Sequence, residues 1–232
     1  SLYFLLPHKF RWLMLLIASC TFYMFFVPIY ILILFATIII DYFAGIYIEI
    51  ADGKKRKFIL VISLISNIGI LAFFKYFNFF IDNFNIVFQA LNWNYSLDLL
   101  TIILPIGLSF HTFQAMSYTI EVYRGNQKAE KHFGIYSLYV MYYPQLVAGP
   151  IERPQNLLSQ FHAKHKFNPY LFSNGLKQMF IGFFKKMVIA DNLAPYVNQV
   201  YDNPDGYEPI TIFVATVFFA FQIYCDFSGY SD

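Results

Sequence analysis

The sequence predicts an all-α fold, a polytopic bundle of transmembrane helices with one re-entrant segment. Of its 232 residues, 58% are hydrophobic, 22% are aromatic and only 13% are charged. A soluble domain of this length needs more charge on its surface, so the composition excludes that class. Long uncharged windows, and the placement of Lys and Arg between them, are the other two observations behind this prediction.

The uncharged windows give the predicted spans, because a helix needs about 20 apolar residues to cross the hydrocarbon of a bilayer. They cover residues 12–40, 58–74, 99–120, 133–151 and 209–225. Apolar sequence extends the first window to Ile48 and the second, across Lys75, to Ile81. We expect Lys75 to snorkel toward the headgroups.

The Lys and Arg residues orient these spans, since cytoplasmic loops carry an excess of positive charge. Arg11 and Lys54 are therefore assigned to the same side, and residues 12–48 must cross twice with a turn near Pro28. This stretch is barely long enough for two crossings, so one arm is expected to be short. Residues 82–98 contain no Lys or Arg and are assigned to the extracytoplasmic side, so the neighbouring spans go out and return.

Residues 142–154, with the sequence YYPQLVAGPIERP, end an apolar run that is too short to cross twice. The run at 133–151 has 19 residues without formal charge, and the basic residues on both sides of it are assigned to the cytoplasm. We therefore predict a re-entrant segment with breaks at Pro144 and at Gly149 and Pro150. Irregular backbone at that depth is tolerated only where protein covers it or a watery cavity receives it. The alternative is a surface-lying helix followed by an ordinary proline turn.

Polar side chains form a stripe within each of two spans. The first stripe recurs at i, i+3, i+7 and i+10, on one helical face, and consists of His111, Gln114, Tyr118 and Glu121. It is either an interhelical hydrogen-bond seam or the lining of a polar passage in which His111 can titrate. The second, in the last segment, is a face shared by Gln222, Asp226 and Gly229.

Two further features receive structural interpretations. Residues 179–201 are interrupted by Lys185 and Lys186, so this segment is either amphipathic and interfacial or a short span with snorkelling lysines. His162 and His165 have i, i+3 spacing but lack a third ligand, so no metal site is predicted. The sequence also contains neither a GxSxG nor an HExxH motif.

Four blocks of the sequence resemble, in this order, the membrane-bound O-acyltransferase family. They are LPIGLSFHTFQAMSYTIEVYRG at 104–125, YYPQLVAGPIERPQNLLSQF at 142–161, GFFKKMVIADNLA at 182–194 and FQIYCDFSGYSD at 221–232. The similar branch comprises the membrane subunit of alginate O-acetylation and its relatives that acetylate peptidoglycan and other polysaccharides. The resemblance extends over essentially the whole chain, and its second block is highly specific.

The resemblance implies a multi-pass acyltransferase of the bacterial inner membrane. Such an enzyme moves an acyl group, usually acetyl, from a cytoplasmic thioester donor such as acetyl-CoA toward hydroxyls of an extracytoplasmic polysaccharide. The implied partners are the lipid bilayer and an extracytoplasmic acetyltransferase, with no bound cofactor and no nucleic acid. A D-alanyl transferase of the same family is one alternative. Another is a fragment of a transporter or flippase with a broken-helix substrate site, which inverted repeats would favour; the sequence shows none.

The resemblance also implies roles for individual residues. A re-entrant wall is expected from Pro144, Gln145, Gly149, Pro150, Glu152 and Arg153. The reaction chamber is expected near Asp226, Ser228, Gly229 and Tyr230, while His111 and Gln114 are expected to line the funnel. The histidine that the family uses lies in a later helix, after the block at 221–232. No catalytic residue is therefore assigned in this chain, and His111 is the alternative base.

The chain is interpreted as one membrane-embedded domain, residues 1–232, without the C-terminal half that carries the catalytic helix. Ser1 in place of Met, and an apolar run that continues almost to Asp232, indicate truncation at both ends. On this interpretation the chain alone is inactive in acyl transfer.

Overall fold

A computed structural model describes residues 2–25, 28–91, 93, 107–146 and 149–232. Throughout these ranges the regular structure is helical and no strand occurs, which confirms the predicted all-α class. The chain divides into two compact units, one of residues 1–147 and 151–164 and the other of residues 148–150 and 165–232. The interpretation of the chain as one domain stays a prediction.

The helices of the described ranges are numbered in chain order. The first unit contains α1 (Leu2–Leu5), α2 (His8–Met24), α3 (Ile31–Ile50), α4 (Gly53–Ala90), α5 (Leu108–Arg124), α6 (Phe133–Met141) and α7 (Pro154–His162). The second unit contains α8 (Pro169–Phe183), α9 (Asp191–Tyr201) and α10 (Pro209–Ser231), with a π-helical turn at Phe184–Ala190 between α8 and α9.

Three segments in the described part of the chain are long and apolar enough to cross a membrane. They are Pro28–Ile50, Gly53–Ala90 and Pro209–Ser231. Each coincides with one of the predicted windows, which supports the prediction of a membrane helix bundle. Most of their residues are not buried within the chain, as expected for helices whose apolar side chains contact lipid.

The helix break predicted near Pro28 is confirmed, while the two membrane crossings on its sides stay a prediction. A 3₁₀ turn at Pro28–Tyr30 separates α2 from α3. Proline has no backbone N–H to donate, so it suits the start of a helix and disrupts its interior. With 17 residues, α2 is about 25 Å long, less than the ~30 Å of hydrocarbon, which is the length expected of the short arm.

The end of the second span differs from the sequence prediction. α4 has 38 residues, about 57 Å of helix, so it is far longer than the hydrocarbon is thick. The helix does not end at Ile81, because residues 82–89 contain neither Gly nor Pro and nothing in that stretch stops it. The stretch assigned to the extracytoplasmic side is therefore helical as far as Ala90. Residues 94–106 lie outside the described residues.

The core of the first unit lies between α3, α4, α5 and α6. Its largest fully buried side chains include Leu34, Ile38, Ile48, Tyr118, Tyr136 and Tyr139. A Cβ on Gly45 of α3 would lie 2.6 Å from Cε1 of Tyr118, so a side chain at this position would collide with the Tyr118 ring. The Tyr118 ring in turn packs on Tyr136, with centroids 4.5 Å apart.

The second unit is a continuous helical run followed by a long apolar helix. The side chain of Asn168 caps α8 by accepting hydrogen bonds from the N–H groups of Tyr170 and Leu171. The run then passes through the π-helical turn into α9, so residues 179–201 are helical throughout. Whether this segment is interfacial or spans the membrane stays open as a prediction.

Candidate functional site

The predicted break at Pro144 is confirmed. α6 ends at Met141, Tyr142 leaves the helical conformation with φ −58° and ψ 112°, and a 3₁₀ turn follows at Tyr143–Gln145. α6 has nine residues, about 13 Å of helix, which is less than half of the hydrocarbon thickness. All residues from Gly134 to Met141 are buried. The segment enters the core of its unit without the length to cross a membrane, and its membrane topology stays a prediction.

Two side chains that the sequence analysis did not single out hold the broken backbone. Ser19 of α2 is fully buried, accepts from the Tyr143 N–H at 3.1 Å and donates to the Leu15 carbonyl at 2.8 Å. Tyr139 of α6, also fully buried, donates its hydroxyl to the Glu152 carbonyl at 3.0 Å. One side chain therefore satisfies a main-chain group released at the break, and the other ties α6 to the backbone that follows the break.

The start of α5 lies directly against the end of this turn. Gly107 has φ +73°, and a Cβ there would lie 2.1 Å from the Leu146 carbonyl oxygen. Glycine suits the left-handed conformation, and its missing side chain permits the contact. This approach brings the polar face of α5 next to the broken segment.

The polar side chains predicted on one face of α5 are turned toward protein. His111, Gln114 and Tyr118 are only 4%, 5% and 0% exposed. His111 Nδ1 lies 3.1 Å from the Val140 carbonyl oxygen; that oxygen can only accept, so Nδ1 carries the proton and Nε2 the lone pair. The Tyr118 hydroxyl accepts from the Glu130 N–H at 2.9 Å. The polar face of α5 is thus a hydrogen-bond seam with α6 and with the loop that precedes α6.

Three buried polar atoms beside this seam have no hydrogen-bond partner within the described part of the chain. They are the Tyr23 hydroxyl, His111 Nε2 and Gln114 Nε2. The Tyr23 ring stands edge-on to His111, with 5.9 Å between the centroids. Because buried polar groups are normally paired, these three unpaired atoms favour the interpretation that a polar ligand binds beside α5.

A polar cavity of about 570 Å³ lies between the broken segment and α7. It is lined by Tyr142, Gln145, Glu152, Gln155, Asn156, Leu157, Ser159 and Gln160. Amide, hydroxyl and carboxyl groups therefore dominate its wall. Gln155 is held there because its Nε2 donates to Glu121 Oε2 at 2.6 Å, which brings the last residue of the α5 stripe to the cavity.

The residues predicted for the re-entrant wall are only partly brought together. Gln145 and Glu152 both line the cavity. Pro144 and Arg153, although described, are not part of that lining. Gly149 and Pro150 lie in non-helical backbone, as the predicted second break requires.

In the second unit, the predicted residues of α10 contact two lysines of the π-helical turn. Lys185 donates to Ser228 Oγ at 2.9 Å and pairs with Asp232. Lys186 pairs with Asp226 at 2.5 Å. Both lysines therefore find carboxylate partners within their own unit, and the sequence analysis, which treated them as snorkelling or interfacial, missed this pairing.

Close packing of two glycines accompanies these ion pairs. A Cβ on Gly182 would lie 2.5 Å from the Gly229 carbonyl oxygen, and a Cβ on Gly229 would lie 2.7 Å from the Gly182 carbonyl oxygen. Gly229 thus permits contact between the helical run and α10. Tyr230, the last residue predicted near the reaction chamber, is exposed.

The histidines with i, i+3 spacing are placed outside any group of metal ligands. His162 Nε2 lies 2.7 Å from Glu130 Oε2, and His165 is exposed. In the ranges that the structure describes, no three His, Cys, Asp or Glu side chains form a group able to hold a metal ion. The cavity and the adjoining seam of α5 are therefore the candidate site.

Comparison with known proteins gives relatives along the whole chain, although no family model matches it. The chain is 33% identical over 249 residues to a protein named peptidoglycan O-acetyltransferase from Helicobacter pylori, a match that covers 95% of this chain and 46% of that protein. It is 34% identical over 237 residues to a protein named "probable alginate O-acetylase AlgI" from Pseudomonas aeruginosa, covering 100% of this chain and 44% of that protein. A protein of the same name from Azotobacter vinelandii is 33% identical, with coverage of 100% and 46%.

These relatives confirm the resemblance indicated by the four sequence blocks. The two matches to alginate O-acetylases cover the entire chain, so they include all four blocks. The chain spans a little under half the length of each of the three relatives.

Proposed function

From homology to bacterial O-acetylases along the whole chain, we propose that this protein is part of a membrane-bound O-acyltransferase. It takes an acyl group, acetyl by analogy with the relatives' names, from a cytoplasmic thioester donor such as acetyl-CoA. It passes this group toward hydroxyls of an extracytoplasmic polysaccharide. The observation that carries the proposal is the polar cavity of about 570 Å³ beside a helix broken at Pro144. Irregular backbone of this kind suits a membrane protein only beside a covered or watery cavity.

The residues that line the cavity suit binding of an acyl donor better than catalysis of acyl transfer. Acyl transfer requires donors that orient and polarise the acyl carbonyl, and a base that accepts the proton of the attacking hydroxyl. Gln145, Gln155 and Asn156 supply amide N–H groups for the oxygens of an acyl donor. The base belongs, on the family resemblance, to a helix outside this chain, so the chain alone is expected not to transfer acyl groups.

His111 is the alternative base within the chain. Its Nδ1 is held by the Val140 carbonyl, which leaves Nε2 as the proton acceptor. Acetyl transfer by the purified chain, abolished by His111→Ala, would assign the base to this residue. An inactive chain would support the assignment of the base to a later helix.

The same proposal places the chain in the inner membrane, crossing it several times. Three apolar segments long enough to span support this placement among the described residues. An extracytoplasmic acetyltransferase is the proposed partner, because the family resemblance implies that such a protein passes the acyl group on to the polysaccharide.

The function is tested by the O-acetyl content of exported polysaccharide in cells that carry the gene with Gln145→Ala or Glu152→Gln. Acetate released by mild alkali is quantified per unit of polysaccharide. We expect each variant to lower the acetate about tenfold or more at unchanged protein level, since a lost orienting contact in an active site commonly costs that much.

Gln89→Ala is the matched control, because Gln89 lies on α4, away from the cavity lining. It is expected to leave acetylation unchanged. Wild-type acetylation in both cavity variants would contradict the proposal. Loss of the exported polysaccharide itself, with normal acetate on what remains, would instead support the transporter alternative.

A further inference from the structure

Asp41 is a fully buried acid in the middle of an apolar helix. It lies on α3, within the candidate span Pro28–Ile50, and is 0% exposed. Ser63 Oγ of α4 donates to its Oδ1 at 2.5 Å, and Asn67 Nδ2 donates to Oδ1 at 2.9 Å and to Oδ2 at 2.8 Å. Both partners are neutral, so they satisfy hydrogen bonds without supplying a charge.

Within the described part of the chain, no basic side chain forms an ion pair with this acid. A carboxylate removed from water without a positive partner is strongly disfavoured, and at membrane depth such groups are almost always paired. The folded protein therefore needs one positive charge at this position from elsewhere.

Further oxygen atoms surround the carboxyl group. Ser63 Oγ lies 3.5 Å from Thr119 Oγ1 of α5, and both residues are buried. Asn67 Oδ1 and the Tyr136 hydroxyl are buried and, within the described ranges, have no hydrogen-bond partner. The Tyr136 hydroxyl of α6 also interacts electrostatically with Asp41. Side chains from α4, α5 and α6 thus place oxygen atoms, two of them without partners, in the buried region around the acid of α3.

We infer that this cluster, formed by Asp41, Ser63, Asn67, Thr119 and Tyr136, is a binding site for a single monovalent cation, either Na⁺ or a proton. Hard cations prefer carboxyl, carbonyl and hydroxyl oxygens, which are the groups assembled here. A divalent ion would leave one positive charge unbalanced, since Asp41 is the sole acid among the described residues of this cluster. A proton shared between Asp41 and Ser63 satisfies the same charge balance.

The bound charge would hold α3 against α4, because the hydrogen bonds from Ser63 and Asn67 leave the charge of Asp41 unbalanced. The titratable group that faces Asp41 from α6 is Tyr136, while α4 and α5 present Ser63, Asn67 and Thr119, which do not ionise. The site is independent of acyl transfer and of the cavity beside Pro144. Its test can therefore fail or succeed without affecting the proposed function.

Binding of Na⁺ is tested by thermal unfolding of the purified chain in detergent, with tryptophan fluorescence as the readout. NaCl is titrated against choline chloride at constant ionic strength. At Na⁺ about 100-fold above the dissociation constant, we expect the Tm to rise by about 5 °C or more, because the ion binds only the folded state. Asp41→Asn is expected to abolish the rise.

Binding of a proton is tested by infrared spectroscopy at pH 7, where exposed Asp and Glu are ionised. A protonated Asp41 is expected to show the C=O stretching band of a neutral carboxylic acid, absent in Asp41→Asn. If that variant does not fold, Ser63→Ala serves instead, because loss of its hydrogen bond shifts the band. In both experiments Asp52→Asn, the same change at an exposed acid, is the matched control and is expected to behave as wild type.

Either a saturable effect of Na⁺ on the Tm or the band of a protonated acid in the wild-type chain supports the site and identifies the bound cation. A wild-type chain with neither property would overturn the inference. Asp41 would then be a bare carboxylate held by neutral donors alone.

Discussion

The two units satisfy polar side chains in different ways. In the first, polar groups such as Ser19, Tyr118 and Tyr139 are fully buried and bond to main-chain atoms. In the second, Lys186 and Asp226 form an ion pair whose side chains are 46% and 53% exposed. A buried group that loses its partner bears the full cost of desolvation, whereas water and salt screen an exposed ion pair. Substitutions in the first unit should therefore be the more destabilising.

The largest effect is expected for Gly107→Ala in the first unit. The new methyl group would lie 2.1 Å from the Leu146 carbonyl oxygen, and a main-chain atom in a packed turn cannot move aside. We expect a loss of about 4 kcal/mol or more of unfolding free energy, enough to prevent folding. Recovery of monodisperse protein by size-exclusion chromatography measures this.

Gly125→Ala is the control for Gly107→Ala. Gly125 also has a left-handed backbone, with φ +80°, but among the described residues no neighbouring atom lies within 4 Å of the position that a Cβ would take. Only conformational strain, about 1–2 kcal/mol, is expected there. Equal losses for the two variants would show that the contact with Leu146 contributes nothing.

The corresponding test of the second unit is Gly229→Ala. Its methyl group would lie 2.7 Å from the Gly182 carbonyl oxygen and 3.1 Å from the Lys186 nitrogen, both main-chain atoms. We expect a loss of about 1–3 kcal/mol, because two helices can separate more easily than a turn can deform. Chemical or thermal unfolding in detergent measures it.

Gly175→Ala is matched to Gly229→Ala, since it lies in α8 and its Cβ would meet no described atom within 4 Å. It is expected to stabilise the helix by about 0.5–1 kcal/mol. If Gly229→Ala were equally stabilising, the close packing of the second unit would be refuted.

Features set by local rules were predictable from the sequence. Pro28 and Pro144 mark helix breaks because proline lacks an N–H, a constraint that needs no knowledge of neighbouring helices. The stripe of α5 followed from helical periodicity, and its members His111, Gln114 and Tyr118 are indeed buried on a shared face. Uncharged windows predicted the apolar segments because a membrane span needs about 20 apolar residues in sequence.

Pairings between distant segments could not be predicted. Asp41 bonds to residues 22 and 26 positions away, and Ser19 bonds to Tyr143, which is 124 positions away. A lone polar residue in an apolar run has no period, and the register between helices is decided by packing. The cavity beside α7 was likewise hidden, because its lining combines a broken turn with a helix whose position depends on tertiary contacts.

A moderate effect is expected for Ser19→Ala, which removes the acceptor of the Tyr143 N–H in the first unit. The buried N–H then lacks a partner, so we expect a loss of about 1–3 kcal/mol in unfolding free energy. Thr21→Ala on the same helix is the control, because Thr21 is exposed and its hydroxyl bonds only to its own helix. A change within about 0.5 kcal/mol is expected there. If Ser19→Ala also changed the unfolding free energy by no more than about 0.5 kcal/mol, the hydrogen bond from α2 would not stabilise the break at Pro144.

The smallest effect is expected for Lys186→Met in the second unit, although this lysine pairs with both Asp191 and Asp226. Its side chain is 46% exposed, so solvent screening limits the loss to about 1 kcal/mol or less. The loss should shrink further as salt is raised, because ions screen exposed charges. Lys177→Met, at an exposed lysine of α8, is the control and should show neither response. A loss as large as that of Ser19→Ala, and independent of salt, would mean that Lys186 is shielded from water, and the contrast between the two units would no longer hold.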